Sequence, residues 1–137
     1  MTIFPEAKPY TRREDADLTM DNPIHLSTDG DVLHHKEWTY KGRLVDFALN
    51  HYVTKDHPDN RKSCTDDVAR IDTCHSEVHR HQFYRSGKPQ NREVIKDLHG
   101  FASLEEAEKA VGLCFEECYF SMADDWQAHL DRWKEAS

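Results

Sequence analysis

From Val32 onward apolar and polar residues alternate along the chain, the period of strands that bury one side. "VLHHKEWTY", the pair Lys41-Gly42 and "RLVDFALNHYV" read as two strands around a short turn containing glycine. Val45, Phe47 and Leu49 fall on one face, and a two-residue turn sets Trp38 opposite Val45. The polar connection "KDHPDNRKSCTDD" follows, with Pro58, Asp59 and Asn60 favouring turns. "VARIDTCH" and "VHRHQFYR" predict a second strand pair, and "SGKPQN" a turn before the short strand "REVIKDL". The pattern gives about five strands in meander order.

In the last third the period changes to three and four. Leu104, Ala107, Val111, Cys114, Cys118, Met122, Trp126, Leu130 and Trp133 form one apolar stripe, and Ser103 with Glu106 makes a capping-box pattern at its start. An unbroken helix from Leu104 to Glu135 would be roughly 48 Å long, longer than a domain of this size is wide. Either it kinks near Ser121–Asp124, or its C-terminal part projects and offers Trp126, Leu130 and Trp133 to a partner or a second copy of the chain. A twisted antiparallel sheet needs a cover on one face, and this helix supplies it. The fold class expected is α+β, an antiparallel meander sheet of about five strands covered by a long C-terminal amphipathic helix.

The segment before the alternation, residues 1–30, carries Pro5, Pro9 and Pro23 among mixed charges with no sustained period. It predicts an extended or partly ordered N-terminal arm, ahead of a single domain over residues 31–137. A length of 137 residues fits one core. The formal charge of −8 argues against a non-specific polyanion binder that uses its whole surface, while leaving room for a local basic patch. No window reaches the ~20 apolar residues of a membrane span, and the N-terminus lacks a signal-peptide core, so a soluble, cytoplasmic protein with reduced thiols is expected. Cys114 and Cys118 share a helical face, a spacing that can clamp a metal, but they lie within the apolar stripe and read as core.

Candidate chemistry concentrates in "DTCHSEVHRH", Asp72 to His81, where three of the chain's ten histidines meet a cysteine and an acid. His79, His81 and Phe83 share one side of their strand whatever the pairing. A loop of Ser76-Glu77 pairs Cys74 with His79 and Asp72 with His81. A loop of Ser76-Glu77-Val78 brings His75 to His79, Thr73 to His81 and Ile71 to Phe83, and the apolar pair favours it. His34, His35 and His51 lie at strand ends from which one or more can approach across the sheet.

Three readings compete. His75, His79 and His81 can converge on zinc or another transition metal with an open fourth position. Alternatively, without any metal cofactor, one neutral and one protonated imidazole, oriented by Asp72, can carry out acid–base cleavage of RNA. Arg70, Arg80 or Arg85 would then steady the phosphorane-like charge, with Tyr84 as a stacking surface. Or the histidines are solvent-side strand residues bonded to their neighbours.

The segment "VARIDTCHSEVHRHQFYRSGKP" resembles the signature of the TumE-type toxins and related small proteins of bacterial toxin–antitoxin loci, through Arg70, Asp72, His75, His79 and His81. The likeness extends to strands before a C-terminal helix and covers Val32 to Ala136. It implies a small intracellular toxin, held by an antitoxin and acting on nucleic acid or translation, with the histidine-hairpin residues as its site. The acidic net charge and the N-terminal arm depart from that pattern. The expected function is therefore a metal-independent, ribonuclease-like toxin, with a metal-binding protein or metallohydrolase, and a non-catalytic module docking through the C-terminal helix, as alternatives.

Overall fold

A computed structural model describes residues 10–135. The part of the expected arm at residues 1–9 lies outside them. Six strands form one antiparallel sheet in chain order: β1 (Asp17–His25), β2 (Asp31–Tyr40), β3 (Arg43–Val53), β4 (Asp66–Cys74), β5 (Glu77–Gln82) and β6 (Asn91–Asp97). Two helices follow, α1 (Leu104–Asp124) and α2 (Trp126–Lys134). The α+β meander expected from the alternation is present. The sixth strand, β1, comes from the segment read as an arm. Its residues are mostly exposed, as an edge strand permits, so it leaves little apolar period to read.

The β2–β3 turn is Lys41-Gly42, as expected, with positive φ at both residues, the backbone of a type I′ hairpin. Trp38 nevertheless faces Asp46 rather than Val45, because a bulge opposite Trp38 and Thr39 leaves Val45 of β3 as an extra, unpaired residue. Val45, Phe47 and Leu49 are buried as their alternation requires.

Ser103 caps α1, its hydroxyl accepting from the Glu106 N–H at 3.2 Å, while Glu106 accepts in return from the Ala102 N–H. The helical stripe breaks at Asp125, where φ −99° and ψ 16° leave the α region, and the Asp125 N–H returns to the Ser121 carbonyl. The break lets α2 fold back. Trp133 is fully buried and Leu130 is 7% exposed, both packed in the core beneath the sheet, and half-buried Trp126 meets the His51 ring edge-on. Of the two expected alternatives the kink near Ser121–Asp124 is the one formed, and the projecting docking edge of Trp126, Leu130 and Trp133 is not, because the protein's own sheet takes up that stripe. Cys118 is buried and Cys114 half-buried within the same packing, as core residues. No described helix is long and apolar enough to cross a membrane.

The N-terminal segment is tied down by specific bonds. Tyr10 lies in the core and its hydroxyl donates to the Val45 carbonyl. Arg13 grips the buried Glu108 of α1 with two bonds of 2.7 and 2.8 Å, and Arg43 adds a third at 2.7 Å. A carboxylate without solvent exposure needs such partners to stay charged.

Candidate functional site

The β4–β5 turn decides what the histidine hairpin can do. It consists of His75 and Ser76, both at positive φ (54° and 58°), with Cys74 paired to Glu77. Neither register expected from sequence is formed. Asp72 faces His79, Arg70 faces His81, Thr73 faces Val78 and Ile71 faces Arg80. His75 is used by the turn and is exposed, so it does not join the cluster, and the expected His75/His79/His81 triad is corrected to Asp72/His79/His81.

Directly opposed residues share a face, and two rows cross the face of the sheet away from the helices. His34, Asn50, Arg70 and His81 make one, running from β2 to β5. In the other, Lys36 faces Ala48, and Asp72 faces His79 on the strands beyond. One donor atom from each of Asp72, His79 and His81 lies within 4.8 Å of the others. His79 is 1% exposed, and the two imidazoles meet edge to face with centroids 4.4 Å apart. His79 Nε2 lies 3.0 Å from Asp72 Oδ1, an ion-pair separation off the axis needed for a hydrogen bond. Both ring nitrogens of His79, Asp72 Oδ1 and His81 Nδ1 thus have no hydrogen-bond partner among the described residues. Burial, with His79 and Arg70 alongside, pushes His81 below the ordinary imidazole range and keeps the ring neutral, as a metal ligand or a base requires. His81 also stacks on Phe83, over which Arg70 sits.

Beside Asp72 the face sinks into a cleft of about 280 Å3, lined by His34, Lys36, Ala48, Asn50, Arg70 and Asp72. Its floor is low because Ala48 offers only a methyl group between longer neighbours. Of the expected substrate-binding residues, only Arg70 is here. Arg80 points to the helix side, bonding Ser121 and Glu93. Tyr84 lines a separate polar cleft with Arg80 and Arg132, and Arg85 is taken up by the carbonyls of Asp59 and Lys134. Arg80, Tyr84 and Arg85 therefore do not serve the histidine site.

The other histidines divide by face. His34 lines the cleft and pairs with Asp21. His35 stacks on Phe115 beneath the sheet. His51 and His57 converge on one buried carboxylate, Asp31, at 2.9 and 3.0 Å. Burial alone would raise the Asp31 pKa, but these bonds and one from Ser27 outweigh it and hold the group below the usual carboxylate range. His57 Nδ1 accepts from the Asp59 N–H, so its Nε2 carries the proton toward Asp31. This second cluster satisfies the Asp31 carboxylate, leaves His51 Nδ1 without a hydrogen bond among the described residues, and ties the loop after β3 to the start of β2.

Two imidazole donors and one carboxylate suit zinc or another divalent transition ion, with positions left open. Metal–donor bonds of about 2.0–2.2 Å need the three donors to close by only about an ångström, within reach of small χ rotations. Lys36, Ala48 and Asn50 were not singled out in the sequence; their only signal was shared strand parity with Asp72, which becomes legible once the register is known. No family model, no curated protein and no solved structure matches this chain.

Proposed function

We propose that the chain is a metal-binding protein of metallohydrolase type, holding a divalent transition ion through Asp72, His79 and His81. The observation that carries this reading is His79: a buried imidazole with neither nitrogen hydrogen-bonded, its Nε2 3.0 Å from Asp72 Oδ1 and its Nδ1 3.9 Å from Glu77 Oε1, beside a second imidazole. Buried polar groups left unsatisfied are uncommon and costly, and a shared ion would take up one donor atom from each of the three residues at once. An ion bound there would supply Lewis acidity and an activated water at a position open to the cleft. Arg70, facing His81, would hold negative charge beside it.

The test is elemental analysis of protein purified without an affinity tag, comparing wild type with the His79→Ala/His81→Ala variant. About one equivalent of zinc, iron or manganese in wild type, absent from the variant, with a lowered melting temperature on chelation, is expected. Wild type that folds without metal, and whose melting temperature zinc does not move, overturns the reading.

A second reading uses the same pair without metal, as a toxin-like ribonuclease in a cytoplasmic setting. What favours it is the neutral His81 opposite Arg70, a base beside a phosphate binder. An antitoxin or second copy would have to dock elsewhere than on the buried Leu130 and Trp133. RNA cleavage that persists in chelator and disappears in the double-histidine variant is its expected signature.

A further inference from the structure

The cleft beside the donor triad differs in charge from the chain that contains it. In a protein of formal charge −8, its lining carries Lys36 and Arg70 against Asp72 alone. Asp72 is the group assigned to the ion, and His34 is paired with Asp21. Lys36 makes no close ion pair among the described residues, although Asp21, already paired with His34, stands opposite it on β1. Arg70 gives one nitrogen to Asp67 at 3.0 Å, which anchors the guanidinium without using all five of its donors.

Asn50 adds a requirement of a different kind. Its Nδ2 donates to Asp67 Oδ1 at 3.1 Å, and a carboxylate can only accept, so the amide orientation is fixed. Oδ1 is then the free end, buried and without a donor among the described residues. A ligand that fits must bring negative charge to Lys36 and Arg70 and an O–H or N–H to Asn50. A carboxylate supplies one negative charge and no proton near neutrality. Hydrogen phosphate supplies two charges and an O–H, and a phosphate monoester supplies two charges with its donor on the organic part.

We infer that this cleft binds a phosphoryl group, as inorganic phosphate or a small phosphate monoester, with Lys36 and Arg70 on the anionic oxygens, Asn50 Oδ1 accepting a hydrogen bond, and Ala48 providing the room. The inference rests on the metal reading of Asp72, His79 and His81 for the role of that ligand as substrate. The cleft's volume of about 280 Å3 admits a phosphate with a small organic group and excludes a folded chain.

The experiment measures cobalt binding first, by titration on the full chain, and then the broadening of the 31P line of inorganic phosphate by the cobalt-loaded protein. Wild type is compared with Arg70→Gln and Ala48→Leu, and acetate is run as the competing anion. The expected result is 31P broadening that falls at least about tenfold in both variants, cobalt stoichiometry unchanged in each, and no displacement by equimolar acetate. Ala48→Leu fills the floor without touching a donor, so it separates loss of room from loss of charge. Cobalt bound without phosphate broadening, or equal competition by acetate, overturns the phosphoryl assignment and leaves the metal reading standing. Failure to bind cobalt overturns the metal reading. Phosphate-induced amide shifts at Asn50 and Arg70 in the metal-free chain then decide the cleft alone: their presence supports it and their absence overturns it.

Discussion

Acidification from pH 7 to pH 5 is expected to weaken the fold by about 2 kcal/mol through His129 alone. This residue of α2 is 1% exposed, with Nδ1 unpartnered and Nε2 3.5 Å from the Arg80 guanidinium. Burial above all, then the positive charges of Arg132 and Arg80 and the nearby His51, push its pKa down to about 4, against a weaker pull from Asp125. The folded chain keeps His129 neutral, while the unfolded chain protonates it near its ordinary value of about 6.5. For a group depressed in this way, the stability contribution is full above pH 6.5 and is lost as pH falls toward 4, because only the unfolded state takes up the proton. Linkage between about 6.5 and about 4 gives a loss of about 2 kcal/mol by pH 5 and a plateau below pH 4.

The assay is urea unfolding at both pH values, in chelator so that no ion contributes, for wild type and His129→Leu. The variant removes the titrating ring while keeping a side chain in its buried place beside Arg80. His35 and His81, both held below the ordinary imidazole range chiefly by burial, respond to acid in both proteins and cancel in the comparison. The variant should lose about 2 kcal/mol less than wild type over the interval, read from linear extrapolation. Equal losses in the two proteins would refute the argument that His129 is the buried neutral group.

Three further outcomes follow from burial and backbone geometry. Glu108→Gln leaves Arg13 and Arg43 without their buried counter-charge; because both arginines are partly exposed, the loss should be about 2–3 kcal/mol, below that for a fully buried pair, and urea unfolding checks it. Gly30 has φ +112°, and a Cβ there would lie 2.3 Å from Thr54 Oγ1, so Gly30→Ala should destabilise by more than about 1 kcal/mol, visible as a lowered melting temperature. Trp133→Ala empties the site beneath β4 and β5 and should cost about 3–5 kcal/mol, with loss of near-ultraviolet circular dichroism.

The parts of the fold that were legible in the sequence are those whose period follows from one-sided burial. β3 alternates cleanly because helix α1 covers Val45, Phe47 and Leu49, and the helical stripe keeps its spacing through the break at Asp125. β1 was hidden because an edge strand with both faces largely exposed has no apolar period to show. The candidate site was legible in composition and hidden in geometry. His79 and His81 share a face by parity alone, but which β4 residue joins them depends on where the turn falls, and no glycine marked it.

That turn explains why Asp72, and not His75, completes the proposed donor set. A type I′ turn needs two left-handed residues, and His75 and Ser76 accept that conformation at a cost of about 1–2 kcal/mol each relative to glycine. Ser76 is buried and held from two sides: its hydroxyl accepts from the Tyr10 N–H at 2.8 Å and its carbonyl from the Leu98 N–H at 2.8 Å. The N-terminal segment therefore fixes the turn, the turn fixes the register, and the register sets Asp72 against His79. His75→Asn tests this chain of causes, because asparagine tolerates the left-handed region better than histidine. The variant should be as stable as wild type or slightly more so and, on the metal reading, should take up the same equivalent of metal as wild type. Loss of the ion in His75→Asn would return His75 to the donor set and place the turn one or more residues further along the hairpin.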